Sequence, residues 1–313
     1  MRKTLGAIGL LLLLAAGVVV NSLTPTPSVK AREAVWDAFE TKANKNEPLA
    51  KVYWKGFNPI GYEKIPFNVL LIPSLGREAS DFNELANGLN DDGNRVFLFD
   101  PRGLHGEPLP DSPTLEHFAE PITDINWENN PFPTVLIGHA FGNRVARMAA
   151  SKNPNDITAV ILLAAGGQTP MPPKAEQSLK NIFNPLRTYR SRMKDMHYAF
   201  FAEGNDIPDY WTRGWHTKTA MAQAKAVANS ADDESWHCAG GVPMLIIQPM
   251  QDRIAPIENA YVLRDKCPQE VEIVEVQYAG HALLPEQPEA VAKAVLDFLA
   301  KHHPIPLKNK DTP

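Results

Sequence analysis

The chain has 313 residues, 44% of them hydrophobic and 21% charged, and a formal net charge of −5. That length and apolar fraction are enough for a large core, and the mild acidity excludes the broad basic surface that nucleic acid binding needs. There is no Cys/His cluster at zinc spacing, no glycine-rich phosphate loop and no internal repeat, so neither a metal nor an organic cofactor is expected.

Met1-Arg2-Lys3, an uncharged apolar run from Leu5 to Val20, and Asn21-Ser22-Leu23-Thr24-Pro25 together read as a secretory signal peptide over residues 1–22. Export to the periplasm or the exterior follows from it. The run falls a little short of the roughly 20 residues of a membrane span, so an uncleaved inner-membrane signal anchor is the alternative and the only expected membrane contact. Residues 23–65 form a Thr/Pro/Ser linker and an N-terminal segment, helical around Val35 to Phe39 and then irregular or β-like up to Lys64.

Val69-Leu70-Leu71-Ile72 reads as a buried strand entering the turn Pro73-Ser74-Leu75-Gly76, and Val96-Phe97-Leu98-Phe99 as the next, leaving through Asp100-Pro101-Arg102-Gly103. Thr134-Val135-Leu136-Ile137 follows, then the apolar runs Ala159 to Ala165 and Pro243 to Gln248, and last the alternating run Val271 to Val276, which suits a sheet edge. Strands apolar on both faces, separated by amphipathic stretches, predict an α/β fold: a doubly wound, mostly parallel sheet with helices on both sides. Such sheets bind ligands beyond the carboxyl ends of their strands. Residues 66–167 and 238–303 are assigned to this core, and 168–237 to a helical cap inserted after the sixth strand. The cap region is rich in aromatic residues, among them Phe183, Tyr198, Phe200, Trp211 and Trp215. Each is best read as part of the cap's own core, and together they favour a small apolar ligand over a polymer.

The segment Gly138-His139-Ala140-Phe141-Gly142 has the frame of a nucleophile elbow, Gly-x-Ser-x-Gly, with alanine in place of the serine. With its strand pattern, the chain resembles the alpha/beta hydrolase superfamily from about Val69 to Leu299. The resemblance implies that Ala140 stands at the nucleophile position without an attacking atom. It also implies that Asp252, in the loop Gln248 to Pro256, is the acid and that His281, in Tyr278-Ala279-Gly280-His281-Ala282, is the histidine. Backbone amides of Leu75 and Phe141 would form the oxyanion hole. Pro73-Ser74 replaces the family's usual His-Gly, and the spacing after Asp100 is altered, which makes His105 a second candidate for site chemistry. His139 is expected to pack and hydrogen-bond rather than replace the nucleophile, and Ser74 has no assigned base.

An Asp252–His281 pair suits general-base catalysis, because a carboxylate on one ring nitrogen fixes the tautomer and stabilises the imidazolium formed at the other. Three readings are open. The first is a hydrolase or His/Asp general-base enzyme acting on a small apolar ester or other carbonyl compound without a serine nucleophile. The second is a non-catalytic protein that binds a small molecule or a partner. The third is an engineered serine-to-alanine variant of a serine esterase. Cys238 and Cys267 each precede one of two strands expected to be parallel neighbours, a placement compatible with a disulfide.

Overall fold

The computed structural model describes residues 39–42, 51–55, 66–104, 107–125, 132–167, 169–184 and 186–302. The segment read as a signal peptide, most of residues 23–65, His105 and residues 303–313 lie outside them. Among the described residues no helix is long and apolar enough to cross a membrane.

The sheet has eight strands in the order β1-β2-β4-β3-β5-β6-β7-β8. β1 (Phe39–Lys42) and β2 (Lys51–Lys55) pair antiparallel, and β2 joins β4 antiparallel. From there every pairing is parallel: β4 (Arg95–Asp100), β3 (Asn68–Ile72), β5 (Thr134–His139), β6 (Ile157–Leu163), β7 (Met244–Pro249) and β8 (Val271–Val276). The expected parallel sheet is therefore present, with a two-strand antiparallel edge. One local expectation fails. Phe39, read as the end of a helical stretch, lies in β1 opposite Lys55, since pairing with a neighbouring strand outweighs local helical pattern.

Successive residues of each central strand enter opposite cores, as the period of two requires. Val69, Leu71, Val135 and Ile137 pack on one face with helices α1 (Asn83–Asp91) and α9 (Pro288–Lys301), through Leu85, Leu89, Val295 and Phe298. Leu70, Ile72, Leu136 and Leu162 pack on the other with α2 (Leu115–Thr123), α3 (Phe141–Lys152) and α7 (Glu258–Lys266). β8 is the edge strand, and most of its residues are only partly buried.

Between β6 and β7 the chain forms α4 (Pro173–Ile182), α5 (Tyr189–Phe200), a short 3-10 turn (Asp209–Thr212) and α6 (Thr217–Asn229). Phe200, Phe201, Trp211 and Trp215 build this region's own core. Arg77, in the turn after β3, lies against both Trp211 and Trp215, at 4.7 and 4.8 Å from the ring centroids. Its Nη1 donates to the Arg213 carbonyl at 2.6 Å and its Nε to Asp81 at 2.8 Å. A buried cation that is paired, hydrogen-bonded and stacked thus ties the inserted helices to the sheet.

Cys238 and Cys267 form a disulfide, with Cα atoms 5.4 Å apart and a sequence separation of 29. It links the segments leading into the neighbouring strands β7 and β8, as their sequence placement allowed. Closing a loop of that length constrains the unfolded chain, so replacing both cysteines by serine should lower stability by about 3–4 kcal/mol, read from urea unfolding with and without reductant.

Candidate functional site

The strand-to-helix turn from β5 to α3 pivots on Ala140, at φ 50° and ψ −106°. A residue with a Cβ occupies that region at a cost of roughly 1–3 kcal/mol, so the surroundings must enforce it. Two glycines make the enforcement possible. A Cβ on Gly142 would overlap the Ile72 carbonyl oxygen, and one on Gly138 would overlap the backbone of Gly142. Only glycine lets α3 begin this close to β3 and β5. Ala140 is held on both sides, its amide donating to Leu163 at 3.0 Å and its carbonyl accepting from Asn143 at 3.2 Å.

Asp252 and His281 come together beside this turn. His281 Nδ1 donates to Asp252 Oδ2 at 2.8 Å, and both side chains are almost fully buried. The other oxygen, Asp252 Oδ1, accepts from the amides of Ile254 and Ala255, each at 2.8 Å. One carboxylate thus orders its own loop and orients the His281 ring. With Nδ1 carrying its proton toward Asp252, Nε2 of a neutral His281 presents a lone pair.

A cavity of about 360 Å³ opens at the carboxyl ends of the strands, where Leu75, Ala140, Phe141 and His281 share its wall. Among the described residues the amides of Leu75 and Phe141 donate to no protein acceptor, whereas the next amide, Gly76, is taken by Gln223 Oε1 at 2.7 Å. Most of the remaining lining is apolar, including Met171, Leu179 and Ile254. Of the cap aromatics only Phe200 reaches the cavity, and its ring also meets the His281 ring at 5.5 Å between centroids. Trp211 and Trp215 stay in the cap core, so the apolar character of the cavity comes from aliphatic residues together with Phe141 and Phe200. Ser74 lines the cavity too, and no base is bonded to it among the described residues.

His139 is completely buried, and its Nε2 donates to the His281 carbonyl at 2.8 Å, leaving Nδ1 without a partner. Burial, reinforced by the neighbouring His281, pushes its pKa down to about 4. It is a neutral brace for the His281 loop, in line with the packing and hydrogen-bonding role read from the sequence.

Glu286 escaped the sequence reading. Its Oε1 accepts from Ala202 N and Asn205 Nδ2, and its Oε2 from Gly280 N, all at 2.7 Å. It therefore joins the end of α5 to the residue before His281. Burial raises its pKa, and the Asp252 charge adds to the rise. The only sequence signal was a carboxylate soon after the histidine loop, which looks like any helix-start acid.

The chain belongs to the alpha/beta hydrolase family, whose pattern it matches over residues 69–294. It is 29% identical over 120 residues to a monoglyceride lipase homolog of Monkeypox virus, a match spanning 36% of this chain and only 42% of the viral protein. It is 23% identical over 196 residues to a pyrethroid hydrolase of Sphingobium wenxiniae, covering 59% of this chain and 69% of that protein. Among solved structures it is similar to a membrane phospholipase A described as a bacterial virulence factor, at TM-score 0.68 and 20% identity over 96% of this chain and 99% of the other. A thermophilic esterase from Thermogutta terrifontis matches at TM-score 0.62 and 22% identity, over 85% and 98%.

The depressed pKa of His139 sets a sign for stability against pH. The unfolded chain binds this proton near pH 6.5 and the folded chain only near pH 4, so the stability it contributes is present above pH 6.5 and lost as pH falls toward 4. A His139→Gln variant, which keeps an N–H donor for the His281 carbonyl, should show a shallower loss over that window. The difference should be on the order of 3 kcal/mol at most, measured by denaturant unfolding at several pH values.

Proposed function

We propose that this chain is an exported hydrolase of small apolar esters or related carbonyl compounds, in which His281 activates a water molecule instead of an enzyme hydroxyl. The observation that carries the reading is the polarity of the His281 ring: Nδ1 is pinned to a fully bonded Asp252, and the ring, whose Nε2 has no protein partner among the described residues, lines the cavity together with Ala140. Ala140 stands at the turn where the family's nucleophile would stand, and its methyl group leaves room for water next to that nitrogen.

In the proposed step, Nε2 takes a proton from water while the water oxygen bonds to the substrate carbonyl carbon. The carbonyl oxygen becomes an oxyanion, which the free amides of Leu75 and Phe141 stabilise. Collapse of this intermediate breaks the bond to the alcohol, whose oxygen recovers the proton from the His281 imidazolium. Asp252 stays ionised and balances that imidazolium charge. The names of the relatives, a lipase homolog, a pyrethroid hydrolase and an esterase, support carbonyl hydrolysis as the class of reaction. The leader-like N-terminus and the disulfide support an exported location, since disulfides persist in oxidising compartments.

Alanine at the elbow is the one observation that favours binding without turnover. The two readings separate on short-chain aryl esters. Hydrolysis by the leader-free chain should fall about 10²–10⁴-fold in His281→Ala, with a folded CD spectrum retained. Equal inertness of the two proteins toward a panel of such esters would leave binding as the function.

A further inference from the structure

A second chamber of about 260 Å³ adjoins the cavity beside His281, the two sharing Arg144, Gly166, Gly167, Val227 and Asn259 as walls. Arg144 sits on α3 four residues beyond Ala140, so about 6 Å of helix rise separates the two along the axis. Among the described residues its guanidinium forms no hydrogen bond and no ion pair. Its contacts are the face of Trp236 at 6.0 Å and Gly166, where a Cβ would come within 3.4 Å of Nη2.

A second guanidinium lies next to it. Arg147 is buried, stacks on Trp236 at 4.7 Å, and donates to Asn143 O and Oδ1 and to the His237 carbonyl at 3.0–3.4 Å. None of these acceptors is a carboxylate. The one carboxylate in the chamber wall, Glu234, pairs with Lys266 at 3.0 Å, and the Lys266 ammonium also donates to His237 Nδ1 at 3.1 Å. Asn259 is likewise engaged, with Thr169.

Arg147 is buried and Arg144 is partly buried beside it, and among the described residues neither is paired with a carboxylate; such charges are costly, and an anion entering the chamber would offset them. We propose that this chamber is a subsite for an anionic group, a carboxylate or a phosphate, on a ligand whose apolar part occupies the cavity at Ala140 and His281. Arg144 is its principal contact. Arg144 lines both chambers and its planar fork is bonded to no protein group among the described residues; such forks bind carboxylate or phosphate in a bidentate manner. Arg147, in the wall of the second chamber, adds to the field there. Burial, together with the Arg144 charge, pushes the Arg147 pKa down to about 9, as expected of a pair lacking an anion.

The inference narrows the proposed substrate to an ester with an acidic end, and rests on the hydrolytic reading only for turnover. Binding tests it separately. Calorimetric titration of the leader-free chain with hexanoate, hexyl phosphate and hexanol compares the same apolar tail with and without charge. At low salt either anion should bind at least about 10-fold tighter than hexanol, and the tighter of the two identifies the head group. Arg144→Met should abolish that preference and leave hexanol binding unchanged, whereas Arg144→Lys should keep part of it. Hexanol binding as tightly as both anions, or an unchanged preference in Arg144→Met, would overturn the proposal. If Arg144→Met fails to fold, the wild-type preference and its weakening by salt decide the matter. Anion binding by a chain that hydrolyses nothing would uphold the subsite and remove only the catalytic reading.

Discussion

The close approach of α3 to the ends of β3 and β5 is the constraint on which the site depends. It exists because Gly138 and Gly142 carry no Cβ, and it forces Ala140 into a backbone conformation that an unconstrained alanine avoids. Once the turn is fixed, Phe141 starts the helix at the cavity wall, and His139 is driven inward to brace the His281 loop. A helix start merely tolerated by the sheet would define none of these positions. The strain is sustained by hydrogen bonds on both sides of Ala140 and by strands buried on both faces.

A second set of contacts brings the distant segments to that turn. Asp252 uses one oxygen to order its own loop and the other to orient His281, while Glu286 gathers the histidine loop and the end of α5. Arg77, packed against two tryptophans, fastens the inserted helices over the strand ends. The cavity is thus bounded by elements far apart in sequence, each held by a charged group whose partners are satisfied. Arg144 departs from that rule, and for this reason it reads as a place for something else to bind.

Much of the architecture was legible because it rests on local periodicity. Runs such as Val69 to Ile72 and Ala159 to Ala165 are apolar at every position, which requires a core on both faces, and the structure supplies both. The elbow was legible because its glycines sit at fixed spacing around a single turn, and Asp252 and His281 because their loops keep the family's order. Phe39 was misread since a short edge strand is decided by its neighbour, not its own pattern. Glu286, Arg77 and Arg144 were not visible at all. A glutamate behind a loop reads the same in sequence as one on the surface, and an arginine in a buried ion pair or a cavity wall the same as a solvated one, and only three-dimensional neighbours tell them apart. The aromatic residues of the inserted helices misled in a milder way, since their abundance reflects the packing needs of a small separate core rather than the cavity wall.

The central claim is that elbow, dyad and free amides form a working hydrolytic geometry that lacks only an attacking oxygen at residue 140. Intact-mass measurement of Ala140→Ser and of the unaltered chain, each quenched during reaction with an aryl butyrate, tests it most directly. The account predicts a butyryl adduct on the serine variant, abolished by adding His281→Ala, and none on the unaltered chain. A natively folded Ala140→Ser protein that never acylates, or an adduct on the unaltered chain, would contradict it.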